Sequence, residues 1–190
     1  DVYFQGNPFP MLQPELDQGY DFFGFEEVDA PWSYIGWQGE KWNFNRGWIW
    51  ACFGEEEVNK LNKKHVLCSG TSIATKKAMV RYVDVMLATI GARVHLTDKK
   101  HCPGWINKEC DCRSGGIDQG LHNYLYHTDR FGKTATQIKN ERGIVYTVGY
   151  MCDNPKEVNR HALKLNDDGL VVNEAGKLVA VVHQADRCQE

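Results

Sequence analysis

The spacing of apolar residues constrains the fold of this chain more than any other feature of its sequence. Across 71–90 the apolar residues recur at the three-to-four-residue spacing of an amphipathic helix. The other apolar runs are short, as in β-strands, and lie at 2–5, 20–25, 65–68, 144–148, 170–173 and 178–182. Short strands around a long helix predict an α/β domain. The 190 residues suffice for one such domain with a full core, so we predict a single domain over 1–190.

The first apolar run begins with a carboxylate. Asp1 precedes the run at 2–5, which we expect to form a buried strand that ends at Gly6-Asn7-Pro8. An acid at the end of a core strand can present its charge to a metal or ligand, although an ordinary loop Asp is the alternative. Because the chain lacks an initiator Met, we expect it to be a fragment or a processed chain with an upstream segment missing.

Charge and hydropathy argue against two classes of partner. The 22 Lys and Arg against 25 Asp and Glu give a net charge of −3, and a basic nucleic-acid-binding surface is therefore not expected. No stretch approaches the roughly 18–20 apolar residues of a membrane span. We expect neither a nucleic-acid partner nor a membrane segment in this chain.

The seven cysteines leave several chemistries open. Cys52 and Cys68 lie in apolar runs, where we expect small buried hydrophobic residues. Three others lie in the least regular region, 94–116, and a loop of this length is usually functional or fastened by a covalent or metal link. Zinc, a disulfide and free thiols all remain possible there, although Cys-x-Cys is not the usual spacing of zinc ligands.

An aromatic-rich segment spans 32–53 and holds five of the six tryptophans. Residues of this size can build a core, or they can form a platform against which the apolar faces of ring-shaped ligands pack. Both interpretations remain open. The second makes Trp48 and Trp50 candidate substrate-binding residues.

A short polar segment separates the run at 65–68 from the long helix. We expect Ser69, Gly70 and Thr71 to form a tight turn there. Its backbone N–H groups and hydroxyls would suit an oxyanion, a hydroxyl or a phosphate.

Further polar residues stand where helices begin or strands end. Asp118 is a predicted N-cap, and its neighbours Gln119 and Asn123 lie within about a turn and a half, so that several of these side chains can point at one place. His183 ends the last apolar run. An Asp such as Asp1 and a His can share a divalent cation, because carboxylates suit hard cations and imidazole suits Mn or Zn. A helix cap and a buried strand-end histidine remain the alternatives.

Four segments resemble, in order, motifs of GT-A-type glycosyltransferases. DVYFQGNPF at 1–9 resembles the segment that carries the Asp-x-Asp metal motif, and CSGTS at 68–72 resembles the turn placed against the donor sugar. DQG followed by HN, at 118–123, resembles the family's DQ…N segment, and VHQADR at 182–187 is similar to a closing segment of one subgroup. The resemblance covers essentially the whole chain.

The resemblance implies a GT-A-like fold with a mixed sheet, here without its N-terminal nucleotide-binding strands. It also implies a transferase that moves a sugar from a nucleotide-diphosphate donor to a glycan, protein or small-molecule acceptor, with Mn²⁺ or Mg²⁺ bridging the phosphates. Whether this chain is active by itself stays open, because the first Asp of the metal motif would precede residue 1. The resemblance favours a Golgi or other secretory lumen as the compartment if the protein is eukaryotic.

The resemblance also assigns roles to residues of this chain. Asp118 is the candidate base or stabiliser, and with Gln119 it would contact the transferred sugar or the acceptor hydroxyl. The candidate metal ligands are Asp1 and His183. The candidate substrate-binding residues are Ser69, Gly70, Thr71, Asn123, Trp48 and Trp50.

Three other functions remain open. A non-catalytic carbohydrate-binding domain with a tryptophan-rich surface is the main alternative, although such domains are usually all-β and the 71–90 helix argues against it. A glycoside hydrolase would need two carboxylates about 5–9 Å apart, and the sequence suggests no pair. The candidates for that pair are Glu26, Glu27, Asp118 and Asp186. A zinc-stapled interaction domain rests on 101–112 alone.

Overall fold

The computed structural model describes residues 2–27, 33–36, 44–93, 112, 117–148 and 163–184. Five α-helices lie in this part of the chain: α1 (Gln13–Asp17), α2 (Phe44–Phe53), α3 (Glu55–Lys60), α4 (Lys76–Arg93) and α5 (Ile117–His127). Eight strands accompany them: β1 (Val2–Phe4), β2 (Phe22–Glu26), β3 (Leu67–Ala74), β4 (Ala135–Ile138), β5 (Val145–Thr147), β6 (Lys164–Leu165), β7 (Val171–Val172) and β8 (Val181–His183). Two 3₁₀ turns occur at Phe9–Leu12 and Asn140–Arg142.

Two three-stranded sheets, both mixed, form the framework. In the first, in the order β3-β2-β4, β2 pairs antiparallel with β3 and parallel with β4. In the second, in the order β1-β8-β5, β8 pairs antiparallel with β1 and parallel with β5. Strands β6 and β7 form a separate pair. The predicted α/β class with mixed sheets is confirmed at this level.

The side chains of β2 face two cores, as expected of a strand whose alternate residues point to opposite faces. Phe23 and Phe25 pack with Val181 and other residues between the two sheets. Phe22 packs on the other side, in a cluster that includes Leu121 of α5. Strand β2 therefore lies between the second sheet and the helices, at the centre of the described fold.

The expected turn at 69–71 is wrong, because these residues lie inside β3 and α4 begins only at Lys76. Their backbone is nevertheless irregular. Gly24 pairs with Ser72 and Glu26 with Leu67, so between these pairs β2 advances two residues while β3 advances five. The four residues of β3 between these pairs, 68–71, form a bulge, a feature that often re-aims side chains next to functional sites.

Two predicted core surfaces are exposed instead. In β1, expected to be buried, Phe4 is 64% exposed because β1 is an edge strand of its sheet. In α4 most of the predicted apolar face is likewise exposed, although Met86 of that face is buried, as is Ala78. The exposed apolar side chains of α4 are Val80, Val83, Leu87 and Ile90. Periodicity identifies the helix, but the neighbouring elements decide which face is covered.

A disulfide joins Cys52, in α2, to Cys112, the described residue of the 94–116 region. A covalent link in that region was one of the open possibilities, but Cys52 was expected to be a free buried residue. Cys68 is free and buried, as predicted. The other four cysteines lie outside the described residues.

Among the described helices, none combines the length and the apolar character needed to cross a membrane.

Candidate functional site

The candidate site is built around the bulge of β3, residues 68–71. The first turn of α5 contacts this bulge through Asp118 and Gln119, and the end of β8 contacts it through His183. Six of the sequence-predicted site residues therefore come together: Ser69, Gly70, Thr71, Asp118, Gln119 and His183.

Gln119 is held at both ends of its side-chain amide. The backbone N–H of Ser69 donates to Gln119 Oε1 over 2.7 Å. Gln119 Nε2 in turn donates to Glu27 Oε1 over 2.6 Å. The amide therefore links the bulge to the end of β2.

Asp118 is the exposed member of the site. Ser69 Oγ donates a hydrogen bond to Asp118 Oδ2 over 3.1 Å, which orients the carboxylate. Asp118 lies in the first turn of α5 and not at the N-cap, since the helix begins at Ile117. The helix dipole stabilises a negative charge at this position. The arrangement presents an oriented, solvent-accessible carboxylate.

Asn123 supports the site from beneath. It has no exposed surface, and its Oδ1 accepts from the N–H of Leu67 over 2.7 Å. Its Nδ2 donates to the carbonyl oxygens of Leu67 and Gln119, over 2.8 and 2.9 Å. These bonds fasten the start of the bulge to α5, so in this structure Asn123 is a structural clamp.

His183 approaches the bulge from the second sheet and is 6% exposed. Its Nδ1 lies 3.4 Å from Thr147 Oγ1 of β5 and 3.4 Å from Cys68 Sγ. A Cβ at Gly70 would lie 2.8 Å from both Cε1 and Nε2 of the ring. The ring therefore packs directly on the backbone of the bulge, and only glycine leaves it room.

We expect Gly70→Ala to displace His183 and to lower the free energy of unfolding by about 1–3 kcal/mol, the usual cost of overpacking. Urea unfolding measures the loss, and the NMR signals of the His183 ring report the displacement. Gly91→Ala in α4 is the matched control, because a Cβ there meets none of the described atoms within 4 Å. It should be neutral or stabilising by up to about 1 kcal/mol. Equal free energies of unfolding in Gly70→Ala and Gly91→Ala would contradict the tight contact between Gly70 and the ring of His183.

Asp1, the other predicted metal ligand, lies outside the described residues. Its neighbour Val2 pairs with His183 across β1 and β8. Within the described ranges no three His, Cys, Asp or Glu side chains are grouped so that they could hold a metal ion. His183 is thus the one member of the predicted metal pair that the structure places.

The described tryptophans pack beside α5. Gly120, next to Gln119, packs so closely on Trp48 that a Cβ would lie 2.5 Å from Trp48 Cβ. The guanidinium of Arg46 lies 5.4 Å from the ring centre of Trp50, which also packs against the apolar cluster of Ile49 and its neighbours. For Trp50 this favours the core interpretation. Trp32, Trp37 and Trp42 lie outside the described residues.

Three buried polar atoms near α5 have no hydrogen-bond partner among the residues that the structure describes: Thr71 Oγ1, Trp48 Nε1 and His122 Nε2. An unsatisfied buried group of this kind costs free energy unless a ligand or water satisfies it. Thr71 and Trp48 were predicted to bind substrate, and their orphan groups are compatible with that expectation.

Burial keeps several titratable groups beside the site neutral. It raises the pKa of the Cys68 thiol, and the nearby Glu27 carboxylate raises it further. Burial, with a smaller effect of Asp118, raises the pKa of Tyr82 to about 12. Full burial lowers the pKa of His122 to about 3, and its Nδ1 lies 3.3 Å from Tyr82 Oη. The side chains of Cys68, Tyr82 and His122 are therefore uncharged at neutral pH, and Asp118 and Glu27 are the acidic residues of the site.

Glu27, Thr147 and Cys68 were not predicted as members of the site. For Glu27 the sequence does contain a signal, because it follows an apolar strand as a charged residue, in the same way that His183 ends one. Thr147 carries no comparable signal, since it is an ordinary strand residue, and Cys68 belongs to the CSGTS segment but was given no role of its own. The parallel pairing of β5 with β8 brings Thr147 to His183, and the contact between the two sheets brings Cys68 of β3 to it.

No family model, curated protein or solved structure matches the chain. Any functional proposal therefore rests on the residues and contacts described above, together with the motif resemblance.

Proposed function

We propose that this chain is the sugar-transferring part of a metal-dependent glycosyltransferase with a GT-A-like fold. It would move a sugar from a nucleotide-diphosphate donor to an acceptor hydroxyl. One observation carries the proposal. The three motif segments that resemble the family's donor-sugar turn, DQ…N segment and closing histidine lie far apart in sequence, yet they meet at the bulge of β3.

The environment of His183 fits a role as a ligand of a divalent cation. Ligand histidines usually have their second ring nitrogen hydrogen-bonded. If Nδ1 donates to Thr147 Oγ1, the lone pair resides on Nε2, the nitrogen beside Gly70. His183 and Asp1 would hold the cation. When bound, Mn²⁺ or Mg²⁺ would neutralise the diphosphate and so stabilise it as a leaving group.

The remaining residues would bind and orient the sugar and the acceptor. Asp118 is exposed and held by the Ser69 hydroxyl, so it can accept a proton from the acceptor hydroxyl or stabilise positive charge on the transferred sugar. The hydroxyl of Thr71 and the indole N–H of Trp48 are buried without a partner among the described residues, so a sugar hydroxyl would reach them only after local movement of the surrounding side chains. Burial of the bulge on its helix side would limit water in this part of the site.

A thermal-shift screen of nucleotide-sugars with and without Mn²⁺ tests the proposal. The screen uses the natural protein that contains this sequence. A rise in melting temperature that needs both Mn²⁺ and one nucleotide-sugar is expected, because a ligand of the native state stabilises it. A shift with free oligosaccharides, but with no nucleotide-sugar, would instead identify a carbohydrate-binding domain.

We expect His183→Gln to weaken metal-dependent binding of the donor found in that screen. The loss should exceed the roughly 10- to 100-fold cost of removing an outer-shell partner of a metal ligand. Isothermal titration with Mn²⁺ alone, and then with the donor, measures it. His127→Gln is the control, since His127 is a half-buried histidine that lies at the far end of α5. Unchanged metal affinity in a folded His183→Gln variant would overturn the assignment.

A further inference from the structure

Glu27 occupies a fixed position at the end of β2. Its backbone N–H donates to the carbonyl of Val66 over 3.0 Å, and its own carbonyl accepts from Asn140 Nδ2. The backbone N–H and carbonyl of Glu27 are therefore both hydrogen-bonded. The residue is half-buried, and its carboxylate accepts a hydrogen bond from Gln119. The motif resemblance assigns Glu27 no role.

The carboxylate of Glu27 determines which way the amide of Gln119 points. An ionised carboxylate can only accept hydrogen bonds, so it requires the NH₂ end of the amide, over 2.6 Å. The carbonyl end then faces the N–H of Ser69, which it accepts over 2.7 Å. A half-turn of the amide would place two donors against each other at Ser69 and two acceptors against each other at Glu27, so both contacts select the observed orientation. Hydrogen bonds to a charged group are also the stronger kind.

We propose that Glu27 is a positioning residue, which acts through Gln119 to hold Ser69 where its hydroxyl orients Asp118. The chain of contacts runs from Glu27 Oε1 to the Gln119 amide, to the N–H of Ser69, and from Ser69 Oγ to Asp118 Oδ2. Gln119 is then part of the support of the site, since both polar ends of its side chain are engaged. The structural link stands on geometry alone, and only its effect on turnover rests on the proposed function.

A charge exchange tests the link. Gln119→Glu alone places two carboxylates in contact, which should separate them at neutral pH and release the N–H of Ser69. Below about pH 4–5, where one carboxyl takes up a proton and can donate, the contact should recover. The double variant Glu27→Gln/Gln119→Glu should restore the contact at neutral pH. In it, the introduced amide at position 27 can donate to the introduced carboxylate at position 119, whose second oxygen accepts from the N–H of Ser69.

The primary measurement is hydrogen exchange of the Ser69 backbone amide by NMR, which needs no ligand. In Gln119→Glu we expect Ser69 exchange to accelerate roughly 10- to 100-fold at pH 7, because the variant loses the hydrogen bond to the charged Glu27 that holds residue 119 against Ser69. In the double variant the exchange rate of Ser69 should return to within about threefold of the rate in the parent. A difference of that size is comparable with the usual deviations from additivity between independent mutations. Glu141→Gln, which neutralises an exposed glutamate, is the control and should change nothing. If Gln119→Glu does not fold, Glu27→Ala replaces it, with the same acceleration expected.

Unchanged Ser69 exchange in the single variants, or failure of a folded double variant to restore it, would overturn the inference. Turnover of the donor found by thermal shift gives the second readout. There kcat should fall in Gln119→Glu and recover in the double variant, while KM for the donor changes little. Restored exchange without sugar transfer in any variant, the parent included, would contradict the proposed function and leave the positioning role intact. Sugar transfer with unchanged Ser69 exchange would contradict the positioning role and leave the proposed function intact.

Discussion

Asp118→Asn is expected to slow sugar transfer by about 10²- to 10⁴-fold, the usual contribution of a positioned acid or base. The change removes the charge but preserves the shape, and the amide oxygen of the new side chain can still accept the hydrogen bond from Ser69 Oγ. Donor binding should therefore stay within a few-fold of the parent, since the side chain is exposed. Single-turnover kinetics at saturating donor separates the two effects.

The control for this prediction is Ser69→Ala, which removes the hydroxyl that orients Asp118 but leaves the carboxylate in place. We expect it to lower kcat less than Asp118→Asn does. A joint loss of donor binding, turnover and thermal stability in Asp118→Asn would identify Asp118 as a structural residue of the first turn of α5. Unchanged turnover would exclude it as the catalytic base or stabiliser.

Removal of the Cys52–Cys112 disulfide is expected to lower the free energy of unfolding by about 4 kcal/mol. The two cysteines are 60 residues apart, and opening a loop of that length restores entropy to the unfolded chain. Both are buried in the cluster with Leu121 and Leu125 of α5, so alanine is the appropriate replacement at each position. Urea unfolding of Cys52→Ala/Cys112→Ala, compared with the parent, measures the loss.

Cys68→Ala is the control, because Cys68 is equally buried but free. This change should lower the free energy of unfolding by only about 1 kcal/mol, which is typical of a point mutation. Mass spectrometry of an unreduced digest should show the peptides of Cys52 and Cys112 linked. Their absence as a linked pair, or equal stability of the double variant and the parent, would contradict the disulfide. The effect also bears on the site, because Cys112 precedes the helix that carries Asp118.

Several features of the fold could be read from local sequence. The apolar run around 145–147 forms β5, because Val, Tyr and Thr favour strands. The acid-to-lysine segment after Gly54 forms α3, with three acids in its first turn and Lys60 in its last, as the helix dipole favours. The helix within 71–90 was found by its period, although its start moved to Lys76. The residues before it belong to β3 because pairing with β2 outweighs the local preference of Ser, Gly and Thr for a turn.

The members of the candidate site were also partly predictable. Asp118, Gln119 and His183 stand at the edges of regular elements, where a polar residue after an apolar run is visible in one sequence. Glu27 follows the same rule and could have been included. Thr147 could not, because a threonine inside a strand has no distinctive pattern, and its contact with His183 depends on the parallel pairing of β5 and β8.

Local sequence predicts the kind of each element and the polar groups at its ends, because periodicity and propensity act over a few neighbouring residues. It also singled out the 94–116 region as a place for a covalent link. The tertiary structure alone decided the partners: Cys52 for Cys112, Glu27 for Gln119, and the backbone of Gly70 for the ring of His183. It likewise decided that β1 and one face of α4 stay exposed. These contacts join segments tens of residues apart, and their free energy depends on the packing of the whole fold, which no local pattern contains.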